Sequence, residues 1–501
     1  MNQKKSGQQT ASPPEQSFEQ RRQTIGLFLG PVVAMILYLW PMPMLSAQAH
    51  NLAAVLGWIV IWWITEPIPI PMSALLGAVL CVLFGVAPAK QVFAPFSDPT
   101  IYLFLGSFIL AEGMAVHGLH QRFASRLMSL PWVGNSPGRV LFVYGAVAAV
   151  LSMWISNTAT TAMMLPIGLG VISAFGEQWR QHRFATGLLL MAAYGASAGG
   201  IGTPVGTPPN LIGITMIEKF AGVKISFFQW MLFAVPLLLL MYAVLFLILY
   251  LLHRPPNLPK TGTQTIEIHA SGSPFSAGER NAALAFLVTV LLWILPGLCS
   301  ILYGSASPFA KSLNDRLPEA VASLIGAGLL FVLPTNWSKR EFTLTWKEAV
   351  RIDWGTLVLF GGGIALVQLM FDSKLAETIG KSLLSLSGAD STWSITLAAI
   401  YISILVSETT SNTAAANMVV PVMISLCLSA NINPVPPAIG ATLAASWGFM
   451  LPVSTPPNAI VYGSGLVPIT KMIRAGIIFD IAGGIILWLG LRLLLPLIGL
   501  A

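Results

Sequence analysis

The sequence predicts an all-α polytopic membrane protein built from two repeated halves, and three observations carry that prediction. The chain of 501 residues is 55% hydrophobic and only 9% charged, against about 25% charged in ordinary soluble domains. Apolar runs of about 17 to 25 residues, long enough to span a bilayer, recur from Ile25 to Leu497, roughly eleven in all, some of them re-entrant rather than spanning. A two-part polar signature occurs twice inside these runs. Ser156-Asn157-Thr158 with Pro166 is answered by Ser411-Asn412-Thr413 with Pro421. Downstream, Gly206-Thr207-Pro208-Pro209-Asn210 is answered by Ser454-Thr455-Pro456-Pro457-Asn458.

Residues 1–23 are polar and rich in Gln and Ser, and are expected to form a disordered cytoplasmic tail. Lys4, Lys5, Arg21 and Arg22 precede the first apolar run, whereas the next connection, Pro41 to Asn51, has no Lys or Arg. The positive-inside rule therefore places the N-terminus in the cytoplasm, and an odd number of spans would put the C-terminus outside. A cleaved signal peptide ending near Ala47-Gln48-Ala49 is the alternative, and the long polar lead favours an uncleaved first helix in a cell inner (plasma) membrane. The net charge of +7 has the same explanation, because Arg180, Arg183, Arg254, Lys260, Lys339, Arg340, Lys347 and Arg351 lie in short connections. It implies a bilayer as partner and no nucleic acid. Cys81, Cys299 and Cys427 stand alone and form neither a disulfide framework nor a metal spacing.

The repeat extends beyond the signatures. Gly106 precedes Gly361 by 255 positions, as Ser156 precedes Ser411, while the Pro-Pro blocks are 248 apart. A shared offset with one small slip indicates duplication: a first half at 24–252, a polar linker at 253–279 and a second half at 280–501. The mixed stretch 338–353 reads either as a helix lying on the membrane surface or as a plain cytoplasmic loop.

Paired helix-breaking segments in corresponding positions of two halves point to the midplane binding site of a secondary transporter. Ser152 precedes Ser156 by four and Ser407 precedes Ser411 by four, so in a helix each pair would share a face. Each Asn amide supplies two donors and an acceptor. Two consecutive prolines tend to end a helix, which leaves free carbonyls upstream for a hard cation, while a helix restarting beyond them offers N–H groups to an anion. A lone Ser-Asn-Thr usually bonds to its own helix and a lone Pro-Pro is usually a kink; two matched copies of both favour a site.

Charge selects the substrate class. No Lys or Arg occurs from Val140 to Trp179, from Phe184 to Glu218 or from Ser382 to Thr470, the windows that hold all four motifs. An anion desolvated there without a counter-charge costs several kcal/mol, so the compensating charge is expected to arrive as bound cations, as in sodium-coupled anion transport.

The motifs resemble those of the divalent anion/sodium symporter family, the INDY-like transporters of dicarboxylates, citrate and sulfate. The resemblance covers most of the chain and rests on Thr65-Glu66-Pro-Ile-Pro, Ser152-Met-Trp-Ile-Ser-Asn-Thr and the two Ser-Asn-Thr/Thr-Pro-Pro-Asn pairs. It implies an inverted-repeat homodimer whose protomers each have a scaffold domain and a transport domain. The transport domain would move as an elevator and carry two re-entrant hairpins, expected near 99–130 and 354–388. It further implies one sodium site at Ser152, Ser156, Asn157 and Gly206 and a second at Ser407, Thr410, Asn412 and Ser454. The small divalent anion, most simply a C4-dicarboxylate such as succinate, would meet Asn157, Thr158, Thr207 and Pro208 from one half and Asn412, Thr413, Thr455 and Pro456 from the other. Thr207 and Ser407 depart from the bacterial dicarboxylate pattern, which leaves sulfate, citrate and dicarboxylate exchange as alternatives.

Glu66, Glu112 and Glu408 are the acids expected at membrane depth: Glu66 as a helix cap, Glu408 in a structural or site-shaping role. His117 and His120 read as satisfied interfacial histidines. An intramembrane enzyme lacks support, because no metalloprotease or Gly-x-Ser-x-Gly motif occurs and Leu375 stands where the nucleotide loop before Gly380-Lys381-Ser382 would need glycine. A passive anion channel is the other rival.

Overall fold

A computed structural model describes residues 13–133, 136–176, 179–254, 274–304, 307–387 and 391–501, and its regular structure is almost entirely helical. The chain opens with α1 (Pro13–Leu39), α2 (Ala47–Thr65) and α3 (Ile70–Leu83). Glu66, at φ 49° and ψ 47°, caps α2 in the left-handed conformation, and Pro67 and Pro69 prevent the helix from continuing, so its expected role as a cap is what the backbone gives it. The short α4 (Ala89–Phe93) leads to α5 (Pro99–Val116), started by the Asp98 carboxylate, which accepts from Thr100 N at 2.9 Å, and then to α6 (Leu119–Met128). The first motif region follows as α7 (Pro137–Ser152), α8 (Asn157–Phe175), α9 (Arg183–Gly199) and α10 (Pro208–Met216), closed by α11 (Phe227–Leu252).

The second half begins with α12 (Ala277–Tyr303), whose capping box joins Ser276 and Glu279. It continues with α13 (Pro308–Arg316), α14 (Glu319–Val332), an antiparallel ribbon of β1 (Pro334–Asn336) and β2 (Glu341–Phe342), and the one-turn α15 (Trp346–Ala349). Then come α16 (Trp354–Asp372), α17 (Leu375–Ser387), α18 (Thr392–Thr409), α19 (Asn412–Ser429), α20 (Val435–Ala444), α21 (Pro456–Tyr462) and α22 (Ile469–Leu497). Among the described residues ten helical stretches are long and apolar enough to cross a membrane, and shorter apolar helices such as α7 and α20 lie beside the motifs. Leu284, Leu287, Leu291 and Leu295 of α12 are exposed along the helix, as expected of a surface solvated by lipid.

Among the helix pairs that connect the halves, four are exchanged by the repeat offset. α5 packs on α14 while its counterpart α16 packs on α3; α8 packs on α21 while its counterpart α19 packs on α10. Each half therefore builds the other's motif region.

Several expectations need correction. Helix α1 begins at Pro13, so residues 13–23 are helical rather than part of an irregular tail, and the Arg22–Glu19 ion pair at 2.8 Å spans one turn of it. The expected linker narrows to the stretch between Leu252 and Ala277, most of it outside the described residues. The stretch 338–353 holds the strand β2 and the single turn α15 rather than a long surface helix. The hairpins expected at 99–130 and 354–388 are in each case an apolar helix followed by an amphipathic one, α6 with Arg122 and Arg126, α17 with Glu377 and Lys381. The arms that turn at the Ser-Asn-Thr motifs are instead α7 with α8 and α18 with α19, because the Ser that caps each following helix interrupts the apolar run.

Candidate functional site

Each Ser-Asn-Thr is a helix start. Ser156 caps α8, its hydroxyl accepting from Ala159 N at 3.2 Å, and Ser411 caps α19 by the same bond from Ala414 N at 3.2 Å. Asn157 and Asn412 are therefore the first helical residues. The serines four positions earlier belong to the preceding helices, so Ser152 and Ser156 share no helix face, nor do Ser407 and Ser411. They meet across the turn instead. Ser152 Oγ donates to Asn157 Oδ1 at 2.6 Å, and Ser407 Oγ lies 3.0 Å from Asn412 Oδ1 and 2.8 Å from Ala445 O.

Each Thr-Pro-Pro-Asn restarts a helix after a break, with Thr at the cap and the prolines at the first two positions, where a missing N–H is harmless. The last residue of the motif fastens the break. Asn210 Nδ2 donates to Gly200 O at 2.9 Å and Thr203 O at 2.7 Å; Asn458 Nδ2 donates to Gly448 O and Leu451 O, both at 3.0 Å. The two sets of partners correspond residue for residue at the offset of 248. In both asparagines Oδ1 is buried and has no hydrogen-bond partner.

In the first half, backbone carbonyls crowd Gly206. A Cβ there would lie 2.5 Å from Gly200 O and 3.0 Å from the carbonyl oxygens of Ser152 and Met153, so only glycine fits. Asn157 Oδ1 lies against the same turn, 2.5 Å from where a Cβ of Gly200 would stand. Thr203 Oγ1 donates to the Met153 carbonyl and ties the α7–α8 turn to the break in the following helix. Ser152, Asn157 and Gly206 thus come together as the sequence suggested, whereas the Ser156 hydroxyl is committed to its cap.

In the second half, a Cβ at Gly448 would lie 3.2 Å from Ser407 O, 3.3 Å from Ser407 Oγ and 3.1 Å from Ser454 Cβ, so Ser407, Asn412 and Ser454 gather around one turn. Thr410 does not join them with its side chain, because its hydroxyl donates to Trp63 O at 2.8 Å and pins the α18–α19 turn to α2. Glu408 is the residue whose function only the structure discloses. It is buried, and its carboxylate accepts from Phe449 N at 2.6 Å, Met450 N at 2.8 Å and Ser454 Oγ at 2.6 Å. Its role is to hold the unwound segment between α20 and α21.

Among the residues expected to meet an anion, Thr207 and Thr455 are buried at their caps, Asn157, Pro208, Asn412 and Thr413 are half-buried, and Thr158 and Pro456 are exposed. The ion pairs Arg122–Glu279 at 2.5 Å and Lys219–Asp98 at 2.6 Å lie outside the motifs. His117 and His120 are satisfied by the carbonyls of Thr343 and Met114. The regions therefore offer hydroxyl, amide and carbonyl oxygens, together with helix N-termini.

The chain matches the model of the sodium:sulfate symporter transmembrane region over residues 21–498. It is 33% identical over 487 residues to a sodium-dependent dicarboxylate transporter, SdcS, of Staphylococcus saprophyticus, covering 95% of this chain and 92% of that one. The SdcS of Staphylococcus aureus strain USA300 is 32% identical over 489 residues with the same coverage. Two solved transporters share the fold at low identity. The YdaH transporter of Alcanivorax borkumensis has a TM-score of 0.52 at 15% identity, covering 97% of this chain and 98% of that one. Neisseria gonorrhoeae MtrF has a TM-score of 0.54 at 13% identity, covering 91% and 96%. Helical breaks fastened in matching pairs, a bundle long enough to cross the bilayer many times and a match over nearly the whole length place this chain among the transporters of the divalent anion/sodium symporter family.

Proposed function

We propose that this protein is a sodium-coupled symporter that imports a small divalent anion, a C4-dicarboxylate such as succinate. The observation that carries the reading is the pair of oxygen clusters at the two helix breaks, in windows free of Lys and Arg. One sodium ion is assigned to the Gly206 turn, with Ser152 and Asn157 and the carbonyls of Met153 and Gly200 as candidate ligands. The other is assigned to the Gly448 turn, with Ser407, Asn412 and Ser454. Ser156 and Thr410 contribute at most backbone carbonyls, since their hydroxyls are engaged elsewhere.

The anion is assigned to the motif helix starts. Asn157 and Thr158 open α8, Asn412 and Thr413 open α19, and Thr207-Pro208 and Thr455-Pro456 open α10 and α21. Unsatisfied N–H groups at the starts of the longer helices and the partial positive end of each dipole favour carboxylate oxygens. Bound sodium supplies the full counter-charge that the protein lacks there, which makes anion affinity depend on sodium and couples the two fluxes. The names of the SdcS relatives, sodium-dependent dicarboxylate transporters, agree with this substrate class.

The exchange of helix pairs under the repeat offset supports an inverted repeat with a midplane site. We assign α7–α10 and α18–α21 to a transport domain that moves as an elevator against a scaffold, in a homodimer of the plasma membrane with a cytoplasmic N-terminus. The test is uptake of labelled succinate by purified protein in liposomes. An inward sodium gradient alone should drive accumulation; uptake only into vesicles preloaded with unlabelled succinate would instead make the protein an exchanger.

A further inference from the structure

We propose that the end of α10 is a latch: Lys219 and Phe220 grip α5 and α16, hold the transport domain at one end of its travel, and let go once in every transport cycle. The latch rests on the domain assignment above, in which α10 moves while α5 and α16 belong to the scaffold. The body of α10 packs on α19 and α20, so it travels with them. Beyond Met216 the helix widens into a single π turn, Ile217–Ala221, which ends at Gly222 with φ 70°. Isolated π turns are rare and often mark functional positions.

Residues of this segment reach the scaffold helices through three side-chain contacts. Lys219 Nζ lies 2.6 Å from Asp98 Oδ2. The other oxygen of that carboxylate accepts from Thr100 N at 2.9 Å, so Asp98 is fixed by its own helix and the lysine is the partner that can leave. Thr215, about one turn before Lys219, has its hydroxyl 3.1 Å from that of Thr100. On the other side of the π turn the ring of Phe220 stacks on Phe371 of α16, with centroids 4.0 Å apart and planes 8° from parallel. The π turn thus presents adjacent residues to two different scaffold helices.

The grip is of a kind that opens at low cost. The side chain of Asp98 is 7% exposed but that of Lys219 is 30% exposed, and an ion pair with one partner in contact with solvent shifts an equilibrium by only a small factor. A cavity of about 60 Å³, lined by Thr100, Thr215, Glu218 and Lys224 among others, lies beside the threonine pair. Water there can solvate the polar groups as they part, which a dry apolar seam would not allow. The stacked rings add a contribution of similar size, and one that depends on close approach. Together these contacts bias the position of α10 without fixing it permanently, as a carrier that must move requires.

A disulfide across the contact tests it. The hydroxyls of Thr100 and Thr215 stand where two Sγ atoms would come within bonding reach, and the native Cys81, Cys299 and Cys427 are buried. In liposomes the oxidised Thr100→Cys/Thr215→Cys protein should lose sodium-driven uptake, and a reductant should restore it. Oxidised protein that transports as well as reduced protein, or a pair that does not oxidise, would overturn the latch. The reactivity of a single Thr215→Cys variant toward a maleimide reads the open fraction without any transport. It should rise about 3-fold or more when Lys219→Gln or Phe220→Ala is added, and stay near its starting value with Lys219→Arg, which keeps the charge. Equal rates in all these backgrounds would refute the grip. Reduced protein that carries no dianion would instead count against the symport reading, and the maleimide rates then decide the latch alone.

Discussion

The hydroxyl of Ser454 donates to the carboxylate of Glu408 at 2.6 Å, and the N–H groups of Phe449 and Met450 donate to the other oxygen of the same carboxylate. One buried acid thereby replaces the backbone hydrogen bonds that the second motif region gives up by unwinding. The first half has no equivalent. At the corresponding positions stand Met153 and Gly206, and the turn is tied by Thr203 to the Met153 carbonyl. Duplication preserved the break and its asparagine fastening, and each half adds a different tie beside it.

Ser454→Ala removes one of the three donors to Glu408. A hydrogen bond to a charged group contributes about 1.5–3 kcal/mol, so thermal unfolding of the purified protein should report a loss of that order. The half-saturating sodium concentration should rise as well; unchanged values of both would refute the fastening role.

Asn210→Asp and Asn458→Asp keep the shape of the side chain and delete the N–H donors to two carbonyls each. Both variants should insert into the membrane and lose most uptake, by about 10-fold or more, because each break loses two bonds of about 1 kcal/mol and gains a repelling charge. Near wild-type uptake in a correctly inserted variant would show that the break holds without them.

Asn157→Ala and Asn412→Ala remove the acceptors of Ser152 and Ser407 and a candidate sodium ligand in each half. Each should weaken sodium-dependent uptake without preventing insertion. Calorimetric sodium titration of the two single variants should show a different binding step lost in each.

Gly206→Ala would push a methyl group to 2.5 Å from Gly200 O, a backbone atom that cannot turn aside. Sodium-driven uptake should fall by about 100-fold, which corresponds to roughly 3 kcal/mol. Gly170→Ala on α8, with nothing within 4 Å of its added methyl, is the matched control and should transport normally.

Thr207→Ser removes one methyl group at the cap of α10. Competition of succinate uptake by other dianions should show an altered ranking with little change in the sodium requirement. An identical ranking would remove Thr207 from the substrate pocket.

Much of this architecture is legible in the residues. The span content follows from apolar run length, and the break positions follow from Ser-Asn-Thr and Pro-Pro, because capping serines and proline pairs start helices whatever surrounds them. The hairpin arms were misread at 99–130 and 354–388 because an amphipathic surface helix such as α6 follows an apolar helix as closely as a re-entrant arm would. Asn210 and Asn458 could have been found from the sequence, as the last matched residue of the repeated block. For Glu408 the residues suggest a structural or site-shaping role but not its partners, which lie 41 to 46 residues away.

By itself the sequence determined the solvent, the duplication and the four helix starts. These depend on local composition and on steric preferences that act within a few residues. Only the tertiary structure decided which oxygens converge. The hydroxyls of Ser156 and Thr410 turn to a helix cap and to α2, the carbonyls of Met153 and Gly200 crowd Gly206, and the Glu408 carboxylate takes the N–H groups of Phe449 and Met450. Whether a polar atom is free for a ligand depends on the packing of elements distant in the chain, because each buried donor or acceptor takes whichever partner the fold brings to it.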